Sequence, residues 1–396
     1  MADIITPPDD QQEDLDDVVG APRNYQAVVN TADWTVETIL QQITKGNIEL
    51  NPGFQRREAW RLPRKSKYIE SLVMGIPVPQ IVLAERRDKK GAFVVIDGKQ
   101  RLLSLRQFAA REDDKLYDSF KLEGLTERGD LNGRGYNDFE QDLILADDRD
   151  ALDNATIRTA VIRNWKDENF LYTVFLRLNT GSVPLSPQEL RQALHPGPFV
   201  EFVDKYSGDC KKLHDVMGIS GADGRMRDAE LVIRYIAFRN LLREYAGSMK
   251  DILDLASKKY NDEWNAEKAN VDIQVREFES AIDTVVDIFG MRCAFRKWNG
   301  ERYEAALNRA VFDVMILFFV DANIAAAARQ RKQAVEAAFR DLCANSDEFR
   351  ASVEGTTKSL QSIYGRLLLW SNALEVAIER PVPKPTLQNN RIALVA

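Results

Sequence analysis

The sequence predicts an α+β domain followed by an all-helical domain. Three observations carry this expectation. Strand-like runs at 80–85 and 92–96 flank a short polar turn, and a third alternating run spans 157–162. Apolar residues at helical spacing lie before, between and after these runs. Beyond Pro196 only helical patterns of comparable strength remain, at 230–245, 271–289, 302–320, 330–342 and 358–378.

The expected organisation is a disordered acidic tail over 1–30, an α+β domain over 31–195, a helical domain over 196–380 and a C-terminal tail over 381–396. The N-terminal tail carries seven acids within residues 1–24 against one base, Arg23, and few aromatics. Order is expected from about Asp33. Val36, Ile39, Leu40 and Ile43 share a helix face that ends at Gly46, and Ile48 and Leu50 suggest a short strand. Pro63 suits the first turn of a helix whose apolar stripe is Ile69, Leu72 and Val73 and which stops at 75–79. The run Phe93-Val94-Val95-Ile96 is apolar on both faces, which predicts a central strand of a covered sheet. Residues 112–150 are rich in Gly, Asp and Asn and read as a loop-bearing insertion. The prolines at 381, 383 and 385 mark the C-terminal tail.

Composition bounds the function. The chain has 396 residues, of which 44% are apolar and 29% charged, as expected for two or three globular domains. Removing the tail's −6 from the total of −7 leaves about −1, so the folded part is near neutral. Bulk charge therefore argues neither for nor against nucleic acid. Cys210, Cys293 and Cys343 are scattered without metal or redox spacing, which suits reduced thiols in a cytoplasmic protein. The acidic N-terminus lacks signal-peptide character, and the most apolar run, 314–320, is too short to span a bilayer, which needs about 20 residues. Only two histidines exist, His195 and His214, in contexts that suit neither an HNH nuclease, a zincin nor a Cys-His protease.

The segment richest in chemistry is Asp97-Gly98-Lys99-Gln100-Arg101, between a buried strand and a helix. A helix N-terminus offers unpaired N–H groups and a partial positive charge, so phosphate is its natural guest. Gly98 permits close backbone approach, and Lys99 and Arg101 add cationic donors. Asp97 suits a Mg²⁺ ligand, a water-orienting group or a plain helix cap. Two motif readings fail or weaken on spacing. Six residues separate Gly91 from Gly98-Lys99 where a P-loop needs four, and Gln100 replaces Ser or Thr. Glu85 or Asp88 with Asp97 and Lys99 echoes a metal-dependent nuclease, but a symmetric hairpin leaves Glu85 about 10 Å from Asp97 at strand rise. Two further segments carry candidate donors. One is Phe54-Gln55-Arg56-Arg57 with Trp60, where arginine can clamp phosphate bidentately. The other is Asn179-Thr180-Gly181 with Ser186 and Glu189, which also reads as a turn and helix cap.

Taken in order, these segments form a recognisable series: Phe54-Gln55-Arg56 with Trp60, Ile69-Glu70-Ser71-Leu72 running to Gly75-Ile76-Pro77-Val78-Pro79, Val95-Ile96-Asp97-Gly98-Lys99-Gln100-Arg101, and Phe175-Leu176-Arg177-Leu178-Asn179 running to Leu185-Ser186 and Glu189-Leu190. The series resembles the N-terminal domain family of GmrSD-type modification-dependent restriction endonucleases, over roughly residues 33–195. The resemblance implies a ParB/sulfiredoxin-like fold and a site that binds and hydrolyses a nucleoside triphosphate with Mg²⁺. It places Asp97, Gln100 and Arg101 in catalysis, Asp97 on the metal, and Gln55, Arg56, Gly98, Lys99, Arg101 and Asn179 on the nucleotide. Lys99 departs from the family's usual glutamine, which bears on hydrolysis more than on binding. Complete members also carry an HNH nuclease, which this chain's two histidines do not supply. The implied role is a cytoplasmic nucleotide-dependent sensor in DNA restriction or antiviral defence, with DNA and a nuclease in trans as partners and no membrane. A ParB-like DNA-binding adaptor that binds nucleotide without hydrolysis, and a metal-dependent nuclease using Asp97 and Lys99, are the alternatives.

Overall fold

The computed structural model describes residues 27–48, 50, 60–111, 113–166, 168–178, 186–355 and 357–395. The chain divides into two compact units between Leu194 and His195.

In the first unit, β1 (Val28–Thr35) runs directly into α1 (Val36–Thr44). The switch is local chemistry: the Thr35 hydroxyl accepts from the Thr38 amide at 3.1 Å and caps the helix. Order thus begins before Asp33, in a strand that the acidic composition upstream had masked. There follow α2 (Leu62–Val73), β2 (Ile81–Glu85), β3 (Phe93–Asp97), α3 (Lys99–Phe108), α4 (Tyr136–Gln141), α5 (Ala146–Asn154), β4 (Thr156–Arg163), α6 (Glu168–Leu178) and α7 (Pro187–Leu194). The four strands form a mixed sheet in the order β1-β4-β2-β3. Only the β2–β4 pair is parallel.

Strand alternation sends two sets of side chains to opposite faces. Ile81, Leu83, Phe93, Val95, Ile157 and Val161 join one core with residues of α1, α2, α3 and α5. Val82, Ala84, Val94, Ile96, Ala160 and Ile162 join a second core with Trp165, which precedes α6, with Leu171 and Phe175 of α6, and with Leu190 of α7. Both faces are therefore covered. The expected central position of β3 is corrected, however: it is the last strand of the order, with an isolated parallel bridge from Phe93 to Ile48 beside it. An unbroken apolar run reports cover on two faces, not neighbours on two edges.

The segment read as a loop-bearing insertion is also more ordered than its composition suggested. It supplies α4 and the first half of α5, and Leu131, Phe139 and Leu145 enter the first core. Buried polar groups of α2 hold it down. Glu70 accepts from the Arg128 amide at 2.8 Å, and the Ser66 hydroxyl accepts from the Glu123 amide at 3.0 Å.

The second unit is helical up to its last residues. Helix Arg309–Phe319 is buried along nearly its whole length, and Trp370 packs edge-on against Phe319 and Phe339. Arg234 donates to both oxygens of Asp313, and the neighbouring Arg366, 1% exposed, donates to the carbonyls of Ser352 and Thr357. Burial pushes Arg366 down to about 10, although Asp313 Oδ2, 3.8 Å away, acts in the opposite direction. Among the described residues no single helix is long and apolar enough to cross a membrane. The segment expected to be a tail is a hairpin, β5 (Lys384–Gln388) and β6 (Arg391–Val395). Asn389 and Asn390 turn it with φ of 51° and 55°, the left-handed pair a two-residue turn requires. Lys384 anchors it through the Ser371 carbonyl at 3.0 Å and Glu375 at 2.8 Å.

Phe108 is 1% exposed and meets Phe120, Tyr136 and Phe139. Phe108→Ala should lower unfolding free energy by about 3–5 kcal/mol, read as a reduced denaturant midpoint.

Candidate functional site

The site is built where β3 ends and α3 begins. Between Val82 and Leu83 the β2–β3 register shifts: Leu83 faces Val95, but Val82 faces Asp97. Ile96 is thus the extra residue of a bulge, and Asp97 takes the position opposite Val82 that Ile96 would otherwise hold. Bulges bend a strand locally and re-aim its side chains. Gly98 then turns the chain with φ +98° and is the N-cap of α3. A Cβ there would lie 3.0 Å from Ile81 Cγ1 and 3.2 Å from Arg101 Nη2, so glycine is required both by its dihedral and by space. Asp97 does not cap the helix.

Two ion pairs define the corner. Arg101 folds back over Gly98, and its Nη2 donates to Asp97 Oδ2 at 2.7 Å and to the Gln80 carbonyl at 3.0 Å. The Arg101 side chain is 6% exposed, whereas that of Asp97 keeps 21%. One arginine therefore ties the end of β3 to the chain entering β2 and leaves a carboxylate facing outward. The second pair is Lys99 with Glu189, at 2.8 Å and with side chains 8% and 5% exposed. Glu189 Oε2 also accepts from the Ser186 amide at 2.7 Å, and the Ser186 hydroxyl accepts from the Glu189 amide at 3.1 Å. That is a capping box at the start of α7, with its acid shared by a lysine ninety residues away in sequence. Gln100 accepts from the Trp60 amide at 3.3 Å.

The structure thus brings Asp97, Gly98, Lys99, Gln100 and Arg101 together with Glu189. Lys99 directs its ammonium to Glu189, so it anchors α3 to α7 in addition to carrying charge. Gln55, Arg56 and Asn179 lie outside the described residues. Glu85 pairs with Phe93, four residues from Asp97 and about 13 Å away at strand rise. Its carboxylate accepts from the Gly91 amide at 3.1 Å, and Asp88 pairs with Arg86 at 2.7 Å. Neither acid joins Asp97.

Among the described residues no group of three His, Cys, Asp or Glu side chains could hold an ion. Asp97 alone suits a Mg²⁺ that arrives with phosphates, because that ion commonly takes one or two carboxylates and completes its shell with water and phosphate oxygens.

Sequence reasoning missed two contributors: the Gln80 carbonyl and the Trp60 amide, both backbone groups without a sequence signal.

Residues 36–196 match the family model described as GmrSD restriction endonuclease, N-terminal domain. Over this span the chain is similar to that domain. Neither the curated proteins nor the solved structures gave a match. Within the matched span, the Lys99–Glu189 pair joins the Asp97–Arg101 corner to the Ser186–Glu189 cap near the span's C-terminal end.

Lys99→Ala leaves Glu189 buried without its cation and should cost about 3–5 kcal/mol in unfolding free energy. The double variant Lys99→Gln with Glu189→Gln removes both charges and should recover most of that loss in chemical denaturation. Gly98→Ala should cost about 1–3 kcal/mol from backbone strain, measured the same way.

Proposed function

We propose that the GmrSD-like domain of this chain binds a nucleoside triphosphate at the Asp97–Arg101 corner and hydrolyses it, as the sensor of a DNA restriction system whose nuclease is a separate chain. The match to restriction endonucleases supports the setting. The observation that carries the chemistry is the Arg101–Asp97 pair: a buried guanidinium holding a partly exposed carboxylate at 2.7 Å over a helix N-terminus that no side chain caps.

Each part has a role in this reading. The first-turn amides of α3 and the Arg101 guanidinium hold phosphate oxygens. Lys99 positions α3 through Glu189. Asp97, fixed by Arg101, holds Mg²⁺ or orients the attacking water, a positioning and electrostatic role. Mg²⁺, when bound, neutralises charge developing on the transferred phosphoryl group. Gln100, tied to the chain at Trp60, is the remaining polar group of the corner. Gln55, Arg56 and Asn179 belong to the proposal on family resemblance. The second reading, a nucleotide-gated DNA adaptor, is favoured by Asp97 being already paired with Arg101 and by the absence, among the described residues, of a group of three metal-ligating side chains. The nuclease reading loses support, because Lys99 pairs with Glu189 and neither Glu85 nor Asp88 joins Asp97.

The test is a phosphate-release screen with each nucleoside triphosphate and Mg²⁺, with and without modified DNA. Asp97→Asn should retain nucleotide binding within a few-fold and lose phosphate release by about 100-fold or more. Arg101→Ala should lose binding itself, and normal turnover by that variant would sink the site assignment. Nucleotide-dependent DNA retention without phosphate release would favour the adaptor.

A further inference from the structure

Two buried polar atoms beside the corner have no hydrogen-bond partner among the described residues: the Tyr68 hydroxyl and Arg101 Nε. Tyr68 is 6% exposed and Arg101 5%. An unpaired buried donor costs about 1–3 kcal/mol, so such atoms are uncommon and call for an acceptor.

The two belong to one neighbourhood. Arg101 is the charge whose field reaches the Tyr68 phenol. The Tyr68 ring packs edge-on against Trp60 with centroids 5.8 Å apart, and the Trp60 amide donates to Gln100. Arg101 Nε lies 3.3 Å from the point a Cβ on Gly98 would occupy, so the orphan N–H sits over the start of α3. Arg101 Nη2 is already taken by Asp97 and the Gln80 carbonyl. Burial pushes the phenol above the ordinary tyrosine range, which keeps it a neutral O–H donor. Both orphans can donate, one is cationic, and neither is bonded to the other. Their common complement is an anionic oxygen.

We propose that the Tyr68 hydroxyl and Arg101 Nε donate to phosphate oxygens of the bound nucleotide, which makes Tyr68 a ligand-recognition residue outside the Asp97–Arg101 segment. This rests on the reading of that segment as a phosphate site. The same geometry gives Arg101 two duties with separate atoms: Nη2 fixes Asp97, and Nε meets the ligand.

The experiment compares full-length wild-type protein with Tyr68→Phe in two measurements. One is thermal melting without ligand. The other is calorimetric binding of inorganic phosphate and of ATP, GTP, CTP and UTP, each with Mg²⁺. Without ligand, the Phe variant should melt at the same or a higher temperature, because it loses an unsatisfied hydroxyl and keeps the ring. It should bind the preferred nucleotide about tenfold more weakly. Equal affinity in the two proteins overturns the Tyr68 subsite and leaves the corner reading intact. A lower unliganded melting temperature assigns the hydroxyl to the fold and also overturns the subsite. Wild-type protein that binds neither phosphate nor any nucleotide removes the subsite and the corner reading together.

Discussion

The buried pair between Lys99 and Glu189 is the constraint on which the site depends. Taking both charges out of water is costly, and the 2.8 Å contact offsets that cost only because the geometry is held from both sides. Glu189 is fixed by the capping box of α7, and Lys99 by the first turn of α3. The pair therefore sets where α3 begins relative to α7. Gly98, the arch of Arg101 over it and the outward tilt of Asp97 all inherit that position. Apolar burial alone would hold the two helices near the sheet, but it is not directional and would leave the corner's orientation loose.

The bulge at Ile96 does complementary work on the strand side. It keeps Ile96 in the second core while placing Asp97 opposite Val82, so the chain satisfies packing and exposes a carboxylate within two residues. Both cations of the corner are paired with acids, and their charges largely cancel. Anion recognition in the proposed site then relies on directed N–H groups rather than on excess positive charge. That agrees with a chain whose folded part is near neutral by sequence.

Much of this was legible in the residues. Periodicity located α1, α2, β2, β3 and β4, and the change of pattern after Pro196 located the helical unit. The five-residue corner stood out because a strand, a glycine and two cations are adjacent in sequence. What stayed hidden depends on long-range or backbone geometry. Nothing local in Lys99 points to Glu189, ninety residues on. The apolar run of β3 could not distinguish an edge strand covered on both faces from a central one. The prolines at 381, 383 and 385 obscured a hairpin whose signal was the Asn389-Asn390 turn. In 112–150, abundant Asp, Gly and Asn outweighed the spaced apolar residues Leu125, Leu131, Phe139 and Leu145 that build the core.

The strand order bears on how the domain is made. β4, which lies between β1 and β2, is the last strand of this four-stranded sheet to be synthesised, and Glu189 comes later still. A nascent chain that has emerged only through α3 carries the whole Asp97–Arg101 segment, yet lacks the strand that joins the two halves of the sheet and the acid that anchors Lys99. Non-local pairing of this kind closes slowly. The corner therefore matures at the end of translation of the domain, and a truncated product ending before β4 would display the motif without the site.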